Sequence, residues 1–359
     1  MKLLKSVKLG PYQLKNRIVM APMTRSRAIN NNPNDSMAHH YAMRADAGLL
    51  ITEGVAPSPN GLGYPRIPGV FSQDQMNGWK KVASAVHEAG GHIFMQLMHT
   101  GRVSHPDNMA EGSKILAPSA IGHSGQMYTD TKGMQPFPTP KEMTLEEIIS
   151  TQEEYVQAAR NAIECGSDGI ELHGANGYLI DQFLNPASNQ RVDSYGGSIE
   201  NRCRFALEVA SKVAEAIGHE KTGIRLSPYG VFNDMIVYEN LEETYKYLAI
   251  EMSHLNLCFI HTVDHSAMPG TPEVPDSVKN IIKKSFEGPV IACGGMDRTK
   301  AEAVLSSGQA DLIAFGVPFL ANPDLVKRLK LNLPLNQADM GTFFTPGEKG
   351  YNDYPLVDD

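Results

Sequence analysis

Short apolar runs alternate with longer amphipathic stretches from one end of the chain to the other. Runs with a nearly continuous Ile, Leu, Val and Phe content are typical of strands buried on both faces, as in a parallel sheet. The pattern predicts eight such strands: Arg17–Met20, Leu49–Thr52, His92–Leu97, Gly169–His173, Thr222–Ser227, Leu257–Thr262, Pro289–Cys293 and Asp311–Phe315.

The stretches between the strands carry recognisable helix starts. Thr144 and Glu147 have the spacing of a capping box, in which each side chain bonds a free backbone donor near the other residue. Ser72 begins a segment of the same form, and Asn322 followed by Pro323 predicts another helix start. Eight strands, each followed by a helix, predict a (β/α)8 TIM barrel rather than an open sheet.

Two segments depart from this simple repeat. Val7–Leu9 and Tyr12–Leu14 predict an N-terminal hairpin, which we expect to cover the barrel floor. The long segment after the third strand, from Thr100 to Met143, is rich in Gly, Ser and Pro, and such a connection is usually a functional lid or a small excursion. Because no linker or repeat interrupts the pattern, we expect residues 1–359 to form a single domain.

Composition narrows the class of protein. A chain of 359 residues with 42% hydrophobic residues fits a soluble protein with a large core. The net charge of −8, without a block of Lys or Arg, argues against nucleic acid or an anionic membrane as partner. No apolar run follows the first lysines as in a secretory signal, and none is long enough to cross a bilayer.

The four cysteines are scattered along the chain, at positions 165, 203, 258 and 293. They form no C-x-x-C pair, so an iron–sulfur or zinc site built from them is not expected. Free thiols in a chain of this size are typical of a reducing compartment, and we expect a cytoplasmic protein.

Polar residues stand at the ends of several predicted strands. Thr24 follows the first strand, Gln96 lies near the end of the third, and Gly294 and Gly295 follow the seventh. The carboxyl ends of barrel strands meet at one mouth, so these residues are expected to converge there. The glycine turn could hold a phosphate through its backbone N–H groups, although glycine also serves ordinary tight turns.

The segment that ends the fourth strand holds His173, Asn176 and Tyr178 close together. His and Asn can hold a carbonyl oxygen from two sides, and the phenol can supply a proton, which suits the activation of an unsaturated carbonyl compound. Arg225 lies inside the apolar run of the fifth strand. An unpaired buried charge is costly, so Arg225 needs either a neighbouring carboxylate or an anionic ligand.

A competing cluster is His261-Thr262-Val263-Asp264-His265. Strand positions four apart share a face, so His261 and His265 could bind a metal together with Asp264. No further ligand has a suitable spacing, and we favour pocket or structural histidines. The adjacent His39 and His40 are interpreted as helix surface.

Several motifs in order resemble the old yellow enzyme family of FMN-dependent ene-reductases, over nearly the whole chain. The branch is that of the N-ethylmaleimide and oxophytodienoate reductases. The motifs are Ala21-Pro22-Met23-Thr24-Arg25, Gln96-Leu97-Met98-His99-Thr100-Gly101-Arg102, His173-Gly174-Ala175-Asn176-Gly177-Tyr178-Leu179, Asn189 to Arg202, and Gly350-Tyr351-Asn352-Asp353-Tyr354-Pro355.

The resemblance implies an FMN that lies across the barrel mouth and is reduced by NADH or NADPH. Thr24 would bond the flavin carbonyl nearest N5, Gln96 would bind the pyrimidine edge, and Arg225 would stabilise negative charge near N1. Gly54 would pack against the ring. The full set of implied cofactor contacts is Pro22, Met23, Thr24, Gly54, Gln96, Arg225, Gly294, Gly295, Gly316 and Val317.

For the substrate, the resemblance implies that His173 and Asn176 bind the carbonyl oxygen of an enone or maleimide, with quinones and nitro compounds as further possibilities. Hydride would pass from flavin N5, and Tyr178 would donate the proton. Tyr64, Phe232 and Tyr351 match residues that line the substrate pocket. The chain would act as a monomer or homodimer on small molecules, without a metal.

Two positions depart from the family pattern: relatives usually have tryptophan where this chain has Met98, and the second position is more serious. Relatives usually have arginine, which binds the FMN phosphate, where this chain has Val317. A charge-assisted bond is worth about 1.5–3 kcal/mol, or about tenfold or more in affinity, so we expect weaker FMN binding. A non-catalytic or weakly active ligand-binding barrel is the alternative function, and a metal-dependent barrel that uses His261 and His265 is a further one.

Overall fold

The computed structural model describes residues 1–357 of the chain. The strands are β1 (Val7–Leu9), β2 (Tyr12–Leu14), β3 (Ile18–Met20), β4 (Leu49–Ile51), β5 (Ile93–Leu97), β6 (Leu116–Ala117), β7 (Gln126–Thr129), β8 (Gly133–Pro136), β9 (Lys141–Glu142), β10 (Gly169–Gly174), β11 (Thr222–Leu226), β12 (Phe259–Val263), β13 (Val290–Cys293) and β14 (Leu312–Phe315).

The α-helices lie between and after the strands. They are α1 (Asp35–Ala42), α2 (Gln73–Glu88), α3 (Leu145–Glu164), α4 (Leu179–Leu184), α5 (Ile199–Ile217), α6 (Leu241–His254), α7 (Asp276–Ser285), α8 (Arg298–Ser307), α9 (Val317–Ala321) and α10 (Leu325–Leu331). Short 3-10 helices are found at Ile29–Asn31, Pro59–Gly61, Pro106–Asn108, His219–Lys221, Phe232–Asp234 and Met340–Thr342. No described helix is long and apolar enough to cross a membrane.

Eight parallel strands close into a barrel in the order β3, β4, β5, β10, β11, β12, β13 and β14, with β14 paired to β3. The predicted (β/α)8 barrel is therefore confirmed, and each predicted barrel strand exists within two residues of its predicted ends. The strand register sets side chains of the site next to one another. His173 pairs with Arg225, Arg225 pairs with His261, and Glu171 pairs with Gln96.

Two predicted helix starts are confirmed. Thr144 caps α3 and Ser72 caps α2, each in a complete capping box. The prediction at Asn322 is wrong, because α10 begins only at Leu325. The Asn322 side chain instead donates to the carbonyl of Pro318 and accepts from the backbone N–H of Asn336, so it links two segments rather than capping a helix.

The N-terminal hairpin is present, with β1 and β2 antiparallel. Leu9 and Leu14 are fully buried in one apolar cluster with barrel residues such as Phe94 and Phe259. This packing closes the barrel at the end away from the carboxyl ends of the strands. The prediction that the hairpin covers the barrel floor is confirmed.

The adjacent histidines of α1 have different environments. His39 is exposed, as predicted, but His40 is buried, so its assignment to the helix surface is wrong. The His40 ring stacks on Tyr351 with a centroid separation of 3.9 Å, and its Nδ1 lies 3.2 Å from the Tyr351 carbonyl oxygen. His40 faces inward because it packs against the C-terminal segment, which is far away in sequence.

Candidate active site

A cavity of about 1050 Å³ opens at the carboxyl ends of the barrel strands. Its wall comes from the strand ends, from the excursion after β5 and from residues 340–346 near the C-terminus. Most of the predicted site residues line it: Pro22, Met23, Thr24, Tyr64, Gln96, His173, Asn176, Tyr178, Arg225, Phe232 and Val317. The convergence predicted from the strand ends is therefore observed for Thr24 and Gln96, but not for Gly294 and Gly295.

Four predicted glycines do not line the cavity: Gly54, Gly294, Gly295 and Gly316. At Gly54 a Cβ atom would stand 2.5 Å from the Met98 sulfur, so the small residue makes room for Met98, which does line the cavity. Gly294 has a φ of +123° and a Cβ there would meet the Asp264 carbonyl oxygen at 1.9 Å. Local packing alone therefore requires glycine at position 294, where the close atom belongs to the backbone, whereas the flexible Met98 side chain can shift at position 54.

Tyr351 was predicted to line the substrate pocket, and the structure contradicts this. Its side chain is fully buried and is absent from the cavity wall. The ring lies between the His40 ring and the guanidinium groups of Arg25 and Arg27, at 5.2 and 4.7 Å from the ring centroid. Tyr351 thus fastens the C-terminal segment, whose residues Phe343 and Phe344 reach the cavity in its place.

His173 and Tyr178 lie side by side, with ring centroids 5.0 Å apart. The Tyr178 hydroxyl is 3.1 Å from the hydroxyl of Tyr64. Burial raises the pKa of Tyr178 above its ordinary value, so the phenol keeps its proton at neutral pH. Burial, and then the charge of Arg225, hold the pKa of His173 well below its ordinary value, so the imidazole is neutral.

Asn176 occupies a tight turn with a φ of +60°. Its backbone N–H donates to the Ser227 hydroxyl at 2.9 Å, and its carbonyl oxygen accepts from the Asn233 side chain at 2.7 Å. Its side-chain oxygen lies 2.8 Å from Nε2 of His265. The buried carboxyl of Asp181 accepts from the backbone N–H of Gly177 at 2.8 Å and so supports the same turn.

Gln96 is held from below by a residue that sequence reasoning missed. Its side-chain nitrogen donates to the Glu171 carboxylate at 2.8 Å, and the other Glu171 oxygen lies 2.7 Å from Nδ1 of His261. Both Glu171 and His261 are fully buried. Burial lowers the pKa of His261, but the neighbouring Glu171 outweighs it, so the pKa is raised.

Arg225 has no carboxylate partner within residues 1–357. Its Nη2 lies 3.8 Å from the Cys293 sulfur, and its buried Nε has no hydrogen-bond partner. Burial raises the pKa of the Cys293 thiol, but His261 and Arg225 lower it more, so the net shift is downward. Of the two explanations for the buried cation, the geometry favours an anionic ligand in the cavity.

The side chains of the competing metal cluster go to three separate partners. His261 pairs with Glu171, His265 contacts Asn176, and Asp264 pairs with Lys279 at 2.9 Å. The three do not face one another, which argues against the metal reading. His265 instead contacts Asn176, which lines the cavity, whereas His261 contacts Glu171, which supports Gln96.

The excursion forms part of the cavity wall, as expected for a lid. Strands β7 and β8 make an antiparallel hairpin, and Met127 and Tyr128 line the cavity. Arg66 forms an ion pair with Asp130 next to this hairpin and donates to the Phe344 carbonyl oxygen at 2.9 Å. One side chain therefore joins the excursion to the C-terminal segment across the cavity mouth.

Comparison with known proteins gives consistent matches over the whole chain. Residues 2–336 match the NADH:flavin oxidoreductase / NADH oxidase family. A probable flavin mononucleotide-dependent alkene reductase from Leishmania infantum is 43% identical, over 99% of this chain and 97% of that protein.

Solved structures of the same kind superpose closely. Morphinone reductase in complex with tetrahydroNAD has a TM-score of 0.95 and 40% identity, covering 100% of this chain and 98% of that one. The old yellow enzyme homologue from Zymomonas mobilis has a TM-score of 0.94 and 38% identity, covering 99% of this chain and 100% of that one.

Proposed function

Because this chain belongs to the NADH:flavin oxidoreductase / NADH oxidase family, which includes the old yellow enzymes, we propose that it is an FMN-dependent ene-reductase. It uses NADH or NADPH to reduce the activated C=C bond of α,β-unsaturated carbonyl compounds. Enones and maleimides are the main substrate class, with quinones and nitro compounds as further candidates. Residues 1–359 act as one FMN-binding domain.

The observation that carries the proposal is the arrangement of two groups of side chains around one cavity. Arg225, a buried cation with an unpartnered Nε, and Gln96 form the first group, and His173, Asn176 and Tyr178 form the second. A cavity of about 1050 Å³ has room for a flavin ring and a small substrate together.

The first group fits the isoalloxazine ring. Gln96 gives its amide nitrogen to Glu171, which leaves its amide oxygen for the imide N–H of the ring. Arg225 would stabilise the negative charge of a reduced ring. Thr24, with Pro22 and Met23, lines the same cavity and would bond the ring near N5. Bound FMN would supply the hydride chemistry between the nicotinamide and the substrate double bond.

His173, Asn176 and Tyr178 act on the substrate. His173 and Asn176 donate hydrogen bonds to the carbonyl oxygen and so favour the enolate character that develops when hydride reaches the β-carbon. Tyr178 donates its proton to the α-carbon, and Tyr64 holds the phenol in place through its hydroxyl. Tyr64 and Phe232 supply apolar wall to the substrate.

The supporting environment follows from smaller observations. The tetrahydroNAD complex of morphinone reductase supports a nicotinamide as reductant. All four cysteines are buried and unpaired, which supports a cytoplasmic location because thiols persist in a reducing compartment. The proposed assembly is a monomer or homodimer, and light scattering of the purified protein will decide between them.

The test has two stages. FMN is titrated into the flavin-free protein with the visible spectrum recorded, and NAD(P)H oxidation is then followed with and without 2-cyclohexen-1-one under anaerobic conditions. We expect a bound flavin spectrum and an enone-dependent rate. Binding without enone-stimulated turnover would leave the non-catalytic barrel as the function, and failure to bind FMN would remove flavin chemistry altogether.

A further inference from the structure

His265 lies in the loop after β12, outside the motifs that carry the family resemblance. Its Nε2 is 2.8 Å from the side-chain oxygen of Asn176, and the ring stacks on Phe232 with centroids 5.7 Å apart. His265 itself is absent from the cavity wall, whereas Asn176 and Phe232 both belong to it. It therefore stands behind a residue that faces the ligand.

The contact fixes which end of the Asn176 amide faces the cavity. An amide oxygen only accepts hydrogen bonds, so Nε2 of His265 must carry the proton. Burial and the charge of Arg225 lower the pKa of His265, so its ring is neutral and has one N–H. With its oxygen held by His265, Asn176 turns its NH2 group toward the cavity, where only a donor can hold a carbonyl oxygen.

The rest of Asn176 is already fixed without His265. Ser227 binds its backbone N–H, and the Asn233 side chain binds its carbonyl oxygen. Only the side-chain rotation remains to be decided. An amide turned the other way would set its oxygen against the oxygen of the ligand, which is repulsive.

We propose that His265 is a positioning residue that holds the Asn176 carboxamide with its NH2 group toward the ligand oxygen. The proposal rests on the proposed function for the identity of that ligand, a carbonyl or phenol. The histidine supplies through Asn176 the fixed second donor that the site needs beside His173.

The first experiment reads the His265 tautomer in the protein without substrate. Long-range ¹H–¹⁵N NMR of ¹⁵N-histidine-labelled protein at pH 7.5, with His265 assigned by its loss in His265→Phe, distinguishes a protonated Nε2 from a protonated Nδ1. Protonated Nε2 is expected. A ring protonated at Nδ1 would overturn the proposal, because its Nε2 could then only accept a hydrogen bond. This result is independent of any catalytic activity.

The second experiment separates the hydrogen bond from the ring stack. His265→Phe keeps an aromatic ring against Phe232 without a donor, whereas His265→Gln keeps a donor without the ring. We measure the dissociation constant of 4-hydroxybenzaldehyde and kcat/KM for 2-cyclohexen-1-one in the FMN-bound enzyme. Because His265→Phe loses one oriented hydrogen bond, we expect its dissociation constant to rise and its kcat/KM to fall, each about three- to tenfold.

His265→Gln is expected to remain within about twofold of the wild type, since it restores the donor. Unchanged ligand affinity in His265→Phe, or equal losses in both variants, would overturn the positioning role while leaving the ene-reductase function intact. A wild-type protein that binds FMN but reduces no enone would instead overturn the ene-reductase function. The His265 tautomer and the ligand affinities would still decide whether His265 positions Asn176.

Discussion

Val317 stands where the resemblance to the old yellow enzymes implies a phosphate-binding arginine. It follows Gly316 at the start of α9, and its side chain is about half exposed at the edge of the cavity. A valine offers no charge-assisted bond to a phosphate, whichever backbone N–H groups remain nearby. We therefore expect Val317 to affect the affinity for FMN rather than the stability of the fold, because an exposed side chain contributes little packing.

We expect Val317→Arg to tighten FMN binding by about tenfold or more, since a new charge-assisted bond is worth about 1.5–3 kcal/mol. Fluorescence titration of the flavin-free protein gives the dissociation constant. Riboflavin, which lacks the phosphate, is the matched ligand and should bind both proteins equally. Equal tightening for riboflavin would show that the arginine acts on the ring or the fold instead.

Tyr178→Phe removes the proposed proton donor and changes little else in the wall. We expect flavin reduction by NAD(P)H to keep its rate, while oxidation by a weakly activated enone slows about 10²–10⁴-fold, the usual contribution of general acid catalysis. Stopped-flow absorbance separates the two half-reactions. An unchanged oxidative rate would take Tyr178 out of the mechanism, and Tyr64→Phe serves as the control for loss of its hydrogen-bond partner.

The cavity residues at the barrel strand ends could be predicted, whereas His265, which stands behind Asn176, could not. Arg225 is conspicuous because a charge interrupts an apolar run. Glu171 interrupts the run Gly169-Ile170-Glu171-Leu172 in the same way, and this signal could have identified it. His265 gives no such signal, because its contact with Asn176 joins residues 89 positions apart. Only the barrel closure brings these two loops together.

At the scale of elements, hydrogen bonds to the backbone carbonyl groups of the C-terminal segment hold it in place, in addition to the packing of Tyr351. Arg27 donates to the carbonyl oxygens of Thr342, Phe343, Gly347 and Lys349. Such bonds fix the path of the chain for many sequences of the segment. The order of the cavity wall on this side therefore depends on the hydrogen bonds of Arg27.

Arg27→Ala should loosen this segment selectively. We expect faster amide hydrogen exchange over residues 340–351 and a raised KM for the enone, with exchange in the barrel strands unchanged. Mass spectrometry of peptide fragments gives the exchange rates. Arg204→Ala, which removes a more exposed arginine bonded to Ser194, is the control. Slow exchange in Arg27→Ala would mean that Arg25, Arg66 and the packing of Tyr351 hold the segment without Arg27.

Helix starts and strands could be predicted where a local sequence pattern, such as a capping box or a continuous apolar run, specifies them. Both capping boxes and all eight barrel strands follow from such signals. Strands β6 to β9 inside the excursion were not predicted, because they contain only two to four residues each and depend on pairing with one another. Asn322 failed as a helix start because its amide has partners in distant backbone.

At the scale of the whole molecule, buried neutral histidines couple stability to pH. Burial lowers the pKa of His99 to about 3, whereas in the unfolded chain it takes up a proton near about 6.5. As pH falls below about 6.5, the unfolded chain therefore binds one more proton than the folded protein. The free energy of unfolding decreases by about 1.4 kcal/mol per pH unit for this residue.

Glu53 and Asp181 act with the opposite sign, because burial raises the pKa of each to about 7. The folded protein holds their protons at a pH where the unfolded chain has lost them, so their contribution to stability is lost as pH rises toward about 7. The pH dependence of the wild type is a sum of both effects. A difference between two variants isolates one residue.

His99→Gln isolates His99, since a glutamine oxygen can still accept from Gly101 as Nδ1 does at 3.1 Å. Urea unfolding of the flavin-free protein between pH 6 and pH 4.5 gives the free energy for both proteins. We expect the slope against pH to differ by about 1.4 kcal/mol per unit, with the wild type losing more on acidification. Parallel slopes would mean that His99 is protonated in the folded state.

The overall architecture was predictable because a closed parallel barrel follows from repeated apolar runs. The cavity was predictable only in part. Its floor comes from the strand ends, but its rim depends on how the excursion meets the C-terminal segment through Arg66. That meeting depends on tertiary packing between segments more than 200 residues apart, which no local period encodes.

Two amides of opposite polarity face the same cavity. The Gln96 amide nitrogen donates to Glu171, so its oxygen is free to accept a hydrogen bond from a ligand. The Asn176 amide oxygen is bonded to His265, so its nitrogen is free to donate one. A flat molecule whose imide edge meets Gln96 satisfies the first amide, and a second molecule stacked upon it must turn an electron-rich oxygen to Asn176. The cavity would thereby distinguish its two ligands by the hydrogen-bonding groups that each presents, before either reacts.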